Sequence, residues 1–193
     1  MASGVASQSV PVERTPVLES APPSMLWTMR NGAQVEIRPI RPEDEQRMIK
    51  FHQGLSERSV YMRYFESLSL AVRTAHTRLA HICFADPEGH AVLVALSPAP
   101  PSGEPKILAV ARLSKLSDPG KAELALLVLD EFQGLGLGSG LLRRLIQAAR
   151  DRRITHIEAK MLRDNAAIQR VLKNFGFHFR LTDPRIVRAV LRL

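Results

Sequence analysis

The sequence predicts a single mixed α/β domain, and three observations carry that prediction. From residue 35 onward, segments that alternate like strands are interleaved with segments of helical spacing. Turn signals join neighbouring strands at both ends of this region, so hairpins flank the helical segments. A length of 193 residues allows one domain plus an arm, and such a chain buries about 70% of its unfolded surface without needing metal or disulfide.

Residues 1–30 read as a flexible N-terminal arm, because Pro11, Pro16, Pro22 and Pro23 interrupt any helix and the apolar residues follow no period. Leu26 and Trp27 are candidates to anchor its end, and the domain proper is assigned to residues 31–193. Asn31-Gly32 is a turn signal, and residues 35–40 alternate as a strand. Pro42 with Glu43, Asp44 and Glu45 opens a helix, its acids facing the positive end of the dipole, and Gly54 stops it after His52. A second short helix is expected from Ser56 to Tyr64 and a third over residues 71–82.

Residues 91–96 form a short apolar strand ended by the Pro- and Gly-rich loop 98–103. Two further strands, 106–116 and 122–129, are joined by the turn Asp118-Pro-Gly120 and make an antiparallel pair or meander. Leu141, Leu142, Leu145, Ile146 and Ala149 recur at helical spacing up to Asp151. A strand over 155–161, an amphipathic helix over 165–175 and strands over 177–181 and 186–191 complete the chain.

Composition narrows the function classes. A single cysteine, Cys83, excludes an internal disulfide or a multi-cysteine zinc site and fits a reducing cytoplasm. It reads as a small core residue. The six histidines (52, 76, 81, 90, 156 and 178) show no metal-ligand spacing, so no metal is expected. The longest apolar run, 124–129, is far short of the roughly 20 residues that span a bilayer. The N-terminus lacks the basic and apolar blocks of a signal peptide. The net charge of +8 is uneven: residues 143–193 hold 13 basic and 4 acidic residues, so the whole excess lies in the last quarter. Such a field attracts nucleic acid, anionic lipid or a polyanionic small molecule.

The most informative stretch runs from Val128 to Leu142. A strand leads into glycines at 134, 136, 138 and 140 and then into a helix. Glycines permit positive φ and close approach of a ligand, and free N–H groups at a helix start suit a phosphate. A plain strand-to-helix turn would use the same residues. No Lys-Ser/Thr follows the glycines as a mononucleotide loop needs, and the third glycine of a dinucleotide fingerprint would fall on Ser139 or Leu141.

Gln133-x-x-Gly136-x-Gly138 resembles the acetyl-CoA pyrophosphate loop of the GNAT acetyltransferase superfamily. The surroundings agree: the strand over 155–161 leads to Asn165 opening the next helix, which closes on Phe175-Gly176-Phe177. Within the superfamily, Arg38-Pro-Ile-Arg-Pro-Glu-Asp-Glu45, Leu55-Ser56 and Tyr61-Met-Arg-Tyr-Phe65 are similar to the acetyltransferase domain of bacterial protein-lysine acetyltransferases. So are Ala122-Glu-Leu-Ala and Met161-Leu-Arg-Asp-Asn165. The resemblance covers residue 35 to the C-terminus. It implies a GNAT-like, mostly antiparallel central sheet flanked by helices, and an acetyl-CoA-dependent N-acetyltransferase acting on a protein lysine of an acyl-CoA synthetase-type target.

An attacking lysine must be neutral, yet its free pKa is about 10.4, so a carboxylate that takes the proton is required. Glu123 stands where the resemblance places the general base; a solvated glutamate at a strand end would look the same. Glu131 and Asp130 are weaker candidates because they fall in the loop. By the same carry-over, Leu126, Leu127 and Val128 contact the pantetheine arm, with the N–H of Leu127 or Val128 polarising the thioester. Gln133, Gly134, Leu135, Gly136, Leu137, Gly138 and Ser139 hold the pyrophosphate, and Asn165 bonds the pantetheine side while also suiting a helix N-cap.

One departure concerns the tyrosine that many family members use to protonate the leaving thiolate, since that position is Leu172 here. Tyr61 and Tyr64 lie in the N-terminal helices and, with Phe65, read equally as core or as acceptor pocket. The surplus charge after the glycine loop then serves a polyanionic cofactor rather than nucleic acid or a membrane, with Arg143 and Arg144 as candidate partners of the CoA 3′-phosphate. Two alternatives to the protein-lysine reading stay open: a small-molecule amine N-acetyltransferase and a non-catalytic CoA-binding module.

Overall fold

Strand periodicity and turn chemistry assemble one sheet. The computed structural model describes residues 24–86, 89–101 and 103–193. Its strands are β1 (Met25–Thr28), β2 (Gln34–Pro39), β3 (His90–Leu96), β4 (Ile107–Lys115), β5 (Lys121–Val128), β6 (His156–Leu162), β7 (His178–Leu181) and β8 (Ile186–Arg192). They lie in the order β1-β2-β3-β4-β5-β6-β8-β7. Every pairing is antiparallel except β5 with β6. A parallel step needs a crossover, and α5 (Leu137–Asp151) supplies it. β3 is buried at six of its seven positions, as expected of a central strand covered on both faces.

The other helices are α1 (Glu45–Gln53), α2 (Glu57–Tyr64), α3 (Leu70–Thr74), α4 (His76–Cys83) and α6 (Ala166–Asn174). Strand parity shows which face each covers. The Leu126 side chain of β5 meets Gly138 of α5, whereas Glu123, of opposite parity, lies in the electrostatic reach of Arg63 on α2. So α5 and α2 flank the sheet from opposite sides. Leu141, Leu142 and Leu145 of α5 are fully buried against a core that includes Ile37, Leu93 and Ile107.

Several expectations are corrected here. Residues 25–28, read as part of the arm, form β1 and pair with β2 across the Asn31-Gly32 turn. Four mostly exposed residues carry no legible alternation. Residues 1–23 of the arm lie outside the described residues. The helix expected over 71–82 is two helices broken at Ala75, whose backbone is extended (φ −56°, ψ 132°). α5 starts at Leu137, earlier than its apolar period suggests, because Gly138 and Gly140 are themselves helical.

Asp44 does not merely face a helix dipole. Its buried carboxylate accepts from Arg38 Nη1 and Nη2 at 2.7 and 2.8 Å, from Arg41 N–H at 2.9 Å and from Arg47 Nη1 at 2.9 Å. Burial pushes its pKa up, but these hydrogen bonds, led by Arg38, outweigh it and hold the group below the usual aspartate value. The Arg38-Pro-Ile-Arg-Pro-Glu-Asp motif thus ties β2 to the start of α1. Among the described residues, no helix is long and apolar enough to cross a membrane, and no group of three or more side chains is placed to hold a metal ion.

Candidate functional site

β5 and β6 pair over only three positions, Lys121↔His156, Ala122↔Ile157 and Glu123↔Glu158. Beyond Glu123 the strands part, although β5 stays paired to β4 as far as Val128 and β6 to β8 as far as Leu162. The gap is a cleft of about 380 Å³, walled by Leu124 to Val128 on one side and Ala159 to Met161 on the other. Gly134, Gly136 to Ser139, and residues of α6 from Asn165 onward complete it.

Register decides which backbone groups face the gap. Leu129 N–H donates to Leu108 O and Leu116 N–H to Lys121 O, while His156 N–H donates to Gly120 O. Antiparallel alternation then directs the N–H and C=O of Glu123, Ala125 and Leu127 to β4, and those of Leu124, Leu126 and Val128 toward the parting strands. Of the two expected thioester donors, Val128 N–H faces the cleft and Leu127 N–H does not.

The glycine loop fits close approach by an anion. Gly134 (φ 76°) and Gly136 (φ 92°) occupy the left-handed region that favours glycine, Gly136 as the N-cap residue of α5. The turn they make aims the first N–H groups of α5 at the cleft, with the helix dipole behind them. Gly140 has a different reason: a Cβ there would stand 2.8 Å from the Trp27 ring. Leu137 lines the cleft though its side chain is buried. Leu135 is not among the lining residues.

Gln133 is exposed, but its side-chain amide is tied back to the protein. Its Nε2 donates to Ser59 Oγ at 3.1 Å and to Val128 O at 3.2 Å. Asp130 is not poised as a base, for its carboxylate accepts from Ser56 N–H, Ser56 Oγ and Ser59 Oγ at 3.0, 2.7 and 2.7 Å. Desolvation raises its pKa, but the bonds from Ser56 and Ser59 prevail and hold it below the usual aspartate value. Together these four residues bind α2 to the loop that follows β5.

Asn165 lines the cleft and also caps α6, its Oδ1 accepting from Ile168 N–H at 3.4 Å. Its amide N–H groups make no hydrogen bond among the described residues. Glu123 is half-buried just outside the cleft lining, at the last paired position before the strands part. Its register neighbour Glu158 is buried and paired with Arg188. Among the described residues Glu123 forms no salt bridge, and it lies within electrostatic reach of Arg63, which does line the cleft.

Both tyrosines are engaged elsewhere. The Tyr61 hydroxyl accepts from Arg185 Nη2 at 2.6 Å, and Arg63 and Arg78 stack over the Tyr64 ring at 5.1 and 4.9 Å. Leu172 is fully buried. Arg143 and Arg144 are not among the lining residues; the cations that line the cleft are Arg30, Arg58, Arg63, Lys160 and Arg170. Three of these precede β5, so the C-terminal charge excess locates only part of the basic wall. No local signal pointed to Arg30, because its partners are remote in sequence.

Comparison with known proteins agrees with this geometry. A family model described as acetyltransferase (GNAT) domain matches residues 34–178. Acetyltransferase Pat of Mycolicibacterium smegmatis is 29% identical over 153 residues, covering 77% of this chain and 42% of that protein. The chain therefore spans less than half the length of that relative. The crystal structure of the GNAT domain of S. lividans PAT superposes with a TM-score of 0.75 at 25% identity, covering 88% of this chain and 97% of the other. A paiA N-acetyltransferase from Thermoplasma acidophilum, solved in complex with coenzyme A, shares the fold at a TM-score of 0.66 and 17% identity, covering 82% and 99%.

Proposed function

This protein belongs to the acetyltransferase (GNAT) domain family, and on that premise we propose that it transfers the acetyl group of acetyl-CoA to a protein lysine, with Glu123 as general base. The observation that carries the reading is the parting of β5 from β6 directly above a glycine loop, which leaves an unpaired strand edge and a helix start facing one cleft. Acetyl-CoA supplies a reactive thioester on an extended, amide-rich arm ending in phosphates. The free edge at Leu126 and Val128 suits the amides as an added strand would, and Asn165 adds side-chain donors beside them. The N–H groups of the Gly134–Ser139 turn suit the diphosphate.

Glu123 lies on the α2 face, at the narrow end of the parting. There it takes a proton from an incoming ammonium, directly or through water. Val128 N–H stands ready for the carbonyl oxygen as negative charge gathers on it. The thiolate needs no tyrosine, since a thiol pKa near 8.5 makes it a tolerable leaving group. The protein acceptor of the acyl-CoA synthetase class rests on the sequence resemblance to bacterial protein-lysine acetyltransferases, and the likeness to an acetyltransferase named Pat and to the GNAT domain of S. lividans PAT is compatible with it.

The experiment is incubation with acetyl-CoA and purified acyl-CoA synthetases, following thiol release and the mass of the acceptor. Glu123→Gln is expected to lower kcat by about 100-fold or more. Unchanged turnover in that variant removes the base assignment. Thiol release with small amines alone moves the acceptor to that class, and CoA binding without thiol release with any amine makes the protein a binding module.

A further inference from the structure

Arg30 belongs to the turn between β1 and β2, yet it is built onto the glycine loop. Its N–H donates to Leu135 O at 3.0 Å, and its Nη1 donates to Gly134 O at 3.2 Å across 104 residues of chain. Its Cγ stands 3.8 Å from where a Cβ on Gly136 would lie. The turn that presents it is braced on both sides. Met29 is buried and exchanges backbone hydrogen bonds with Gly32 and Ala33, and the Trp27 ring sits against the glycine face of α5 at Gly140.

A guanidinium carries five N–H donors in a fixed plane, and among the described residues one of Arg30's has an acceptor, Gly134 O. Among the described residues no carboxylate pairs with it. The side chain lines the cleft beside Gly134 and Gly136, where the first N–H groups of α5 converge. A planar cation next to oriented backbone donors matches a phosphate, whose oxygens can accept from both at once.

We propose that Arg30 is a cofactor-binding residue, donating its uncommitted N–H groups to the diphosphate of CoA. The proposal rests on the reading of the cleft as the acetyl-CoA site and adds a residue from outside the loop to it. The β1–β2 hairpin then serves as one wall of the phosphate subsite. The bond to Gly134 O keeps the guanidinium in place before the anion arrives, which reduces the ordering needed on binding.

The test is calorimetric titration of the full chain and its Arg30→Gln and Arg30→Lys variants with CoA, dephospho-CoA (no 3′-phosphate) and pantetheine (no phosphate). Arg30→Gln is expected to weaken CoA and dephospho-CoA alike by roughly tenfold, the scale of one charge-assisted hydrogen bond, leaving pantetheine unchanged. Arg30→Lys is expected to recover part of the loss, and its thermal midpoint, compared with wild type, guards against misfolding. Equal CoA affinity in wild type and Arg30→Gln overturns the proposal. So does an equal loss for pantetheine, which makes Arg30 a loop scaffold, or a loss confined to CoA, which points to the 3′-phosphate. If the wild type itself binds no CoA, the reading of the cleft fails, and Arg30's role fails with it.

Discussion

The Asp130 carboxylate receives both the backbone N–H and the hydroxyl of Ser56, at 3.0 and 2.7 Å, across 74 residues. Ser56 is also the N-cap of α2, accepting from Ser59 N–H at 3.1 Å. One carboxylate therefore joins the first turn of the helix beside Glu123 to the loop that precedes the glycines.

Asp130→Ala is expected to loosen that junction. Three donors lose their acceptor, one of them the Ser59 hydroxyl that receives Gln133. The stability loss is about 1–2 kcal/mol, because the donors are partly exposed and water replaces part of what is lost. KM for acetyl-CoA should rise more than kcat falls, since the loop moves while Glu123 stays. Urea denaturation and steady-state kinetics check both parts; a normal KM in a destabilised variant would show that the junction is structural only.

Gly140→Ala tests the packing of β1 on α5. The added methyl would meet the Trp27 ring at 2.8–2.9 Å and Ile37 Cδ1 at 3.2 Å, an overpacking that costs about 1–3 kcal/mol. Trp27→Ala removes the first clash, so the double variant should be less destabilised than the sum of the single ones. Strict additivity in a double-mutant cycle would mean that Trp27 does not rest on this glycine in solution.

His52 makes stability depend on pH. Burial pulls its pKa down to about 4, helped by the positive charges of Arg73, Arg78 and Arg63. The unfolded chain, with a histidine pKa near 6.5, binds a proton that the folded one refuses. The stability from His52 is complete above about pH 6.5 and is lost as pH falls toward 4, by about 3 kcal/mol in total. His52→Gln should flatten the stability profile between those limits, measured by chemical denaturation at several pH values. A profile identical to wild type would refute the depressed pKa.

Much of the site was readable because its signals are local. The order of strands and helices followed from periods within each segment, and the glycine loop from four residues in a row of seven. Gly134 and Gly136 do adopt positive φ, a property of single residues. The break at Ala75 was hidden because α3 and α4 both continue an apolar pattern compatible with one helix. β1 was hidden because its residues are mostly exposed and its inward contact, the Trp27 ring on Gly140, depends on a helix more than a hundred residues away.

The fold class, the glycine loop and the resemblance to the GNAT superfamily could be read from the chain alone, since φ preference, periodicity and motif spacing are carried by neighbouring residues. It took the folded sheet to show that Val128 rather than Leu127 turns its N–H to the cleft, that Asp130 and Gln133 brace α2, and that Arg30 reaches the loop while Arg143 and Arg144 are not among the lining residues. Those facts depend on register and strand order, which bring together groups that no local preference relates. A one-residue change of register would exchange the inward and outward N–H groups along β5 and turn Glu123 onto the α5 face in place of Ala122 and Leu124, so it is packing across the sheet that fixes which N–H groups face the cleft.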